Sequence, residues 1–201
     1  ELLNPYSLPR PYFIVCNQFW IHKSIETVID AAAIAKEQGL NVDIVFTGKM
    51  EEPRKFGYIE SLRARIKDRN VEDRIILLGY IPKVDQLELM RRAIAVIQPT
   101  LFEGGPGGGS IYDAVAMGIR GIVSDIPINH ELPLAPGSLE TFRTRDSEDL
   151  ALKMKEFYWA RYTQPSPEDL YQLSKRSTQL LSDRLYEAIQ YALESNGAIR
   201  Q

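Results

Sequence analysis

Cysteine occurs once in the 201 residues, at Cys16. A single thiol cannot build an internal disulfide framework or a cysteine-based zinc site, and it is only a weak pointer to a reducing compartment. Cys16 ends the apolar run Phe13-Ile14-Val15-Cys16 and therefore reads as a core residue rather than a nucleophile. Histidine is scarce too, with only His22 and His130. His130 lies near Asp125 and Glu131, but no second histidine stands at ligand spacing, so no metal site is expected. No stretch approaches the roughly 20 apolar residues that cross a bilayer. The opening Glu1-Leu2-Leu3-Asn4-Pro5 lacks the basic-then-apolar order of a signal peptide. The expectation is a soluble, cytoplasmic protein, and a start at Glu rather than Met points to an excised domain or a processed product. The net charge of −3 supplies no excess of positive charge, which argues against nucleic acid or an anionic membrane as the main partner.

What is present is enough for one good core: 44% of the residues are hydrophobic and 25% charged. Phe13–Cys16 reads as a strand buried on both faces of a parallel sheet. Ser24 then suits the cap of a helix whose Ile25, Val28, Ile29, Ala32 and Ala35 recur at helical spacing until Gly39. The pattern repeats with strand 42–46, helix 58–67, strand 75–78, helix 86–92, strand 93–97, helix 111–117 and strand 121–124. Strands alternating with helices imply parallel pairing through right-handed crossovers. The predicted fold class is α/β, a doubly wound parallel sheet with its core at about 11–145, followed by helices at about 147–162 and 167–193. Ligands of such sheets bind beyond the carboxyl ends of the strands, so the loops that follow strands matter most for function.

One of those loops is unusual. Glu103-Gly104-Gly105-Pro106-Gly107-Gly108-Gly109-Ser110 places five glycines after an acid and before a helix. Without side chains, backbone amides can approach a ligand closely. Ser110 suits the N-cap position, with Asp113 three residues on as its capping-box partner. Bare amides at a helix start form an anion site suited to phosphate or diphosphate. A flexible surface loop is the plainer alternative for the glycines, although five of them after a buried strand carry an ordering entropy that needs an offset. The loop has neither the Gly-Lys-Ser/Thr ending of a P-loop nor a strand-linked G-x-G-x-x-G.

Glu103-Gly104, then Asp113-Ala114-Val115-Ala116-Met117-Gly118, then Ile122-Val123-Ser124-Asp125 resembles the acidic signature of the group 1 (family 4) glycosyltransferases. Val15 to His22-Lys23-Ser24 resembles that family's first strand and its loop ending in a phosphate-contacting lysine. Val45-Phe46-Thr47-Gly48 resembles the second strand and glycine turn. Ile76-Leu77-Leu78-Gly79-Tyr80-Ile81 resembles the segment whose backbone grips the base. The resemblance runs from about residue 11 to 135. Three departures stand out: Asp113 replaces a glutamate, nine residues separate the two acids, more than is usual, and Asn17-Gln18 stands where the family has an arginine.

The resemblance implies the Rossmann-like, donor-binding C-terminal domain of a GT-B enzyme. Glu103 would face the hydroxyls of the transferred sugar, and Lys23 would steady the leaving diphosphate. These two are the expected catalytic residues. Asn17, Lys23, Gly48, Tyr80, Ile81, Gly107, Gly108, Gly109, Ser110 and Asp113 would hold the nucleotide sugar, with Asp113 accepting from ribose hydroxyls. A carboxylate can accept two hydroxyl donors at once, which suits both acids. Neither metal nor cofactor is expected beyond the nucleoside diphosphate sugar itself. No Asp-x-Asp occurs, which disfavours the metal-dependent GT-A type.

The resemblance further implies that an N-terminal acceptor domain is absent from the chain and that the isolated domain is inactive. The longer protein would transfer sugar, with retention of configuration, to a glycan or lipid-linked acceptor in making a surface polysaccharide. Peripheral membrane association of that protein is compatible with such an acceptor. The family's retaining chemistry has no agreed enzymic nucleophile, and Glu103 is not assigned that role. The alternative is a non-catalytic nucleotide- or sugar-binding module with a degenerate site. His22 can orient phosphate or simply pack, and Phe19 and Trp20 can line a cleft or pack beneath their loop.

Overall fold

The computed structural model describes residues 6, 8–104, 108–131 and 138–198. The chain divides into two units, one up to Thr163 and one from Gln164 onward. In the first unit, strands β1 (Tyr12–Cys16), β2 (Asp43–Thr47), β3 (Ile75–Gly79), β4 (Val96–Gln98), β5 (Gly121–Ser124) and β6 (Leu139–Phe142) alternate with helices. The helices are α1 (Ile25–Glu37), α2 (Tyr58–Asp68), α3 (Lys83–Arg92), α4 (Gly108–Ala116) and α5 (Ser147–Trp159). All six strands are parallel, in the order β3-β2-β1-β4-β5-β6.

The strands are apolar on both faces because each face carries its own core. Phe13 and Val15 of β1 join Ile44 and Phe46 of β2 in one cluster, closed by α1, α2 and α5 through residues such as Val28, Leu62 and Met154. Tyr12 and Ile14 point the other way and join Val45, Val96 and Val123 in a second cluster, closed by Leu89, Met90, Ile111 and Ala114 of α3 and α4. The period of two along each strand thus divides its side chains between two helix layers. Burial of a large aliphatic side chain in either layer contributes about 1.5–3 kcal/mol.

The α/β order and the doubly wound arrangement agree with the sequence reading, but several boundaries move. Strand β4 is only Val96–Gln98, and Ala93 ends α3 instead of opening a strand. Helix α3 begins at Lys83, directly after Pro82. Strand β6 adds to the strands that the sequence pattern predicts: Leu139-Glu140-Thr141-Phe142 is a half-exposed edge with little apolar signal. Ser24 precedes α1 in a left-handed conformation (φ 48°) and makes no side-chain cap. Its hydroxyl instead pairs with that of Thr27 at 2.8 Å. Helix α4 opens two residues ahead of Ser110, so Ser110 lies inside the first turn and the expected capping box does not form.

The second unit contains α6 (Pro167–Ala198), which starts from a reciprocal cap. Ser166 Oγ accepts from the Asp169 amide (3.1 Å), and Asp169 Oδ2 accepts from the Ser166 amide (3.1 Å). No helix among the described residues is long and apolar enough to cross a membrane.

One glycine is required by close packing. Gly48, just past β2, has φ 131°, and a Cβ there would stand 2.1 Å from the Asn17 carbonyl oxygen. The contact sets the distance between the loops after β1 and β2. Gly48→Ala is expected to destabilise the fold by about 1–3 kcal/mol, measured as a lowered urea midpoint at constant slope. An unchanged midpoint would show that the two loops separate freely.

Candidate functional site

The strand order makes the chain run outward in opposite directions from β1 and β4. Connections from β1 go toward β2 and those from β4 toward β5. The loops at the carboxyl ends of these two neighbours therefore part and leave a crevice at the topological switch point. That crevice has a volume of about 360 Å³. Cys16, Asn17, Gln18, Trp20 and Lys23 wall it from the β1 side, Lys83 and Gln86 from α3, and Gly109, Ser110 and Asp113 from α4. A second recess of about 230 Å³ shares Asn17, Gln18, Lys83 and Gln86 and extends to Gly48, Tyr80 and Ile81.

The walls are fixed by the backbone. The His22 carbonyl accepts from the Leu101 amide at 2.7 Å and from Thr100 Oγ1 at 3.2 Å, which ties the β1 loop to the β4 loop. The Phe19 amide donates to the Lys49 carbonyl at 3.0 Å. The Phe19 ring is buried, 5.9 Å from that of Phe46, so this aromatic packs beneath its loop. Trp20 instead faces the crevice, with the Arg54 guanidinium 5.5 Å from its ring. Arg54 grips Glu52 with two nitrogens (2.8 and 3.0 Å), and Glu52 accepts from the Ile21 amide at 2.8 Å. The Arg54 hydrogen bonds hold the Glu52 carboxyl down to about 2, so this brace stays ionised at neutral pH.

Two cation–carboxylate pairs stand in the site. Lys23 Nζ pairs with Glu103 Oε1, and both side chains are nearly buried, at 11% and 12% exposure. Gln98, the polar end of β4, donates from Nε2 to the same Glu103 oxygen at 2.8 Å and accepts from Ser110 Oγ at 3.3 Å. Lys83 Nζ pairs with Asp113 Oδ2 and also donates to Gln86 Oε1 at 3.2 Å. Gln86 is braced in turn by a 2.9 Å bond to Thr47 Oγ1. Asn17 is buried, and its side-chain Nδ2 has no hydrogen-bond partner among the described residues.

The fold therefore brings together Asn17, Lys23, Gly109, Ser110 and Asp113 around the crevice and Gly48, Tyr80 and Ile81 around the adjoining recess. Glu103 reaches the crevice through Lys23. Gly108 is the first residue of α4, and Gly107 lies outside the described residues. Lys83, Gln86 and Gln98 escaped the sequence reading. Each had a signal: Lys83 and Gln86 follow the carboxyl end of β3, and Gln98 is a polar residue closing an apolar strand.

Cys16, expected in the core, lines the crevice instead; burial pushes its thiol up to about 12, which agrees with the reading that it is no nucleophile. His130 pairs with Asp125 at 2.7 Å on the surface. Among the described residues no three histidine, cysteine or acidic groups cluster as metal ligands.

The ring of His22 lies 5.5 Å from Trp20. Its pKa is lowered from 6.5, first by burial and then by the charges of Lys23 and Arg54. The unfolded chain therefore binds a proton at a pH where the folded chain does not. Stability is full above about pH 6.5 and falls as pH drops from there through the lower folded pKa. Denaturant midpoints at pH 7.5 and 5.5 should fall further for the native chain than for His22→Gln. Parallel losses in the two proteins would remove His22 as a source of the pH dependence.

The sequence profile described as glycosyl transferases group 1 matches residues 5–172. No curated protein matches the chain in sequence. Sucrose-phosphate synthase from Thermosynechococcus elongatus superposes with a TM-score of 0.65 at 17% identity, over 92% of this chain and 46% of that one. HepE from Anabaena, solved with UDP and glucose, gives 0.62 at 18% identity, over 86% of this chain and 48% of that one. A variant of S. aureus TarM, solved with Fondaparinux, alpha-GlcNAc-glycerol and UDP, gives 0.63 at 17% identity, over 74% of this chain and 28% of that one. The chain thus spans less than half the length of each of these solved chains. Because the family match runs through all six strands and both loops that wall the crevice, the chain belongs to the group 1 glycosyl transferases and has the Rossmann-like fold of the GT-B enzymes.

Proposed function

We propose that this chain is the donor-binding half of a retaining glycosyltransferase and that a nucleoside diphosphate sugar occupies the switch-point crevice. The observation that carries this reading is the buried Nδ2 of Asn17 on the crevice wall, which has no partner among the described residues. An unpaired buried donor is unfavourable by about 1–3 kcal/mol, and a phosphate oxygen in the crevice is an acceptor that a turn of this side chain would meet. Lys23 and the first-turn amides of α4 add the positive potential that a diphosphate needs.

In this reading the diphosphate lies against Asn17, Lys23 and the Gly108, Gly109 and Ser110 amides. The ribose hydroxyls donate to Asp113, and the base enters the recess at Gly48, Tyr80 and Ile81. Among the described residues the two bonds to Glu103 both end on Oε1, and Oε2 is the oxygen that would meet hydroxyls of the transferred sugar. As the bond from the anomeric carbon to the diphosphate breaks, negative charge grows on the leaving oxygens. Lys23, fixed by Glu103 in a largely dry position, stabilises that charge without reorganising. The acceptor, a glycan or lipid-linked molecule, is held by an N-terminal domain outside this chain, and no metal takes part.

A second reading, a nucleotide-binding module without turnover, is favoured by one observation: Asp113 is engaged by Lys83 rather than open. Calorimetric titration of the chain with UDP, GDP, dTDP and ADP tests the binding that both readings share. One diphosphate should bind saturably, and Lys23→Ala or Asp113→Ala should weaken it at least tenfold, about 1.4 kcal/mol. A folded sample that binds none of the four would overturn the donor-site assignment. Sugar transfer by the longer protein then decides between enzyme and module.

A further inference from the structure

The two ion pairs of the crevice differ in one respect that matters for binding. Lys23 and Glu103 are nearly buried and share a network with Gln98 and Ser110. Lys83 and Asp113 stand at the rim, with side chains 57% and 33% exposed. An exposed pair of this kind is weak, because water screens it and a flexible lysine loses entropy when held. Lys83 also lines both the crevice and the base-side recess, so its ammonium stands where the two join.

The ligand-free crevice therefore holds two cations and two carboxylates that cancel. Beyond the α4 amides, a diphosphate entering it gains a full positive charge when a lysine leaves its carboxylate. Lys23 is locked, and Lys83 is free to turn. Once Lys83 turns, Asp113 is left with open oxygens and needs hydrogen-bond donors. Vicinal hydroxyls supply two donors to one carboxylate.

We propose that Lys83 is a phosphate-binding residue and that Lys83 and Asp113 form an exchangeable pair, in which the diphosphate takes the lysine and the ribose hydroxyls take the carboxylate. The proposal rests on the donor-site reading given above and adds to it a basis for selectivity. A nucleoside without phosphates must separate Lys83 from Asp113 and offers the lysine nothing in return. A nucleoside diphosphate compensates both partners at once. The pair thus opposes nucleosides and admits diphosphates, beyond what the phosphate contacts alone provide.

The two effects of removing Lys83 have opposite signs, which makes the proposal testable with the chain as it is. Lys83→Met and Lys83→Arg are titrated with UDP and uridine, GDP and guanosine, dTDP and thymidine, and ADP and adenosine, followed by NMR so that weak binding is seen. For the pair that the native chain recognises, Lys83→Met should weaken the diphosphate about tenfold and tighten the nucleoside severalfold, whereas Lys83→Arg should keep diphosphate affinity within about threefold. Equal loss of both ligands, or an unchanged diphosphate affinity in Lys83→Met, would overturn the exchange while leaving the donor site intact. A native chain that binds no diphosphate would overturn the donor site and the exchange together.

Discussion

Parallel pairing of β1 with β2 on one side and with β4 on the other is the constraint on which the rest of this structure depends. Parallel neighbours cannot be joined by tight turns, so the chain must cross the sheet faces by helices, and it does so outward in both directions from the central pair. The strands must then be apolar on both faces, which the alternation of Phe13 and Val15 with Tyr12 and Ile14 achieves. The same topology parts the loops after β1 and β4. The crevice is thus a consequence of strand order, and the sequence needed only to furnish its walls.

The furnishing is electrostatic and mostly paired. Each lysine of the crevice faces a carboxylate, one pair buried and one at the rim. The buried pair positions: Glu103 cannot leave without exposing an uncompensated Lys23, and Gln98 fixes its orientation. The rim pair is open to exchange. Around both, backbone bonds from Leu101 to His22 and from Phe19 to Lys49 hold three loops at fixed separation. The Arg54–Glu52 brace steadies the turn that presents Lys23.

The fold was largely legible because strand burial and helix periodicity left strong marks in β1, β2 and α1. It was less legible where those marks fade. Strand β6 sits on the sheet edge, half-exposed, and its two polar residues give no run to recognise. The start of α4 lies three residues ahead of the expected one because Ser110 has the chemistry of a cap, yet its hydroxyl turns to Gln98 across the sheet end. Such a partner, 12 residues away, is decided by tertiary packing. For the same reason, Lys83 could be located after β3 but not paired with Asp113, which lies 30 positions further along the chain. The resemblance places Asn17 at the site, and the lack of a partner for its amide among the described residues is a property only coordinates reveal.

The donor-site proposal requires that the carboxyl-end crevice, and no other surface of the sheet, receives a nucleoside diphosphate. Residue-resolved NMR of the ¹⁵N-labelled chain, titrated with the four common nucleoside diphosphates in turn, decides this. Saturable shifts are expected for the amides of Asn17, Lys23, Gly48, Ile81, Gly109 and Ser110 with one of them, while the amides at the amino ends of the strands stay still. Saturable shifts confined to another surface, with the crevice amides unmoved, would contradict it.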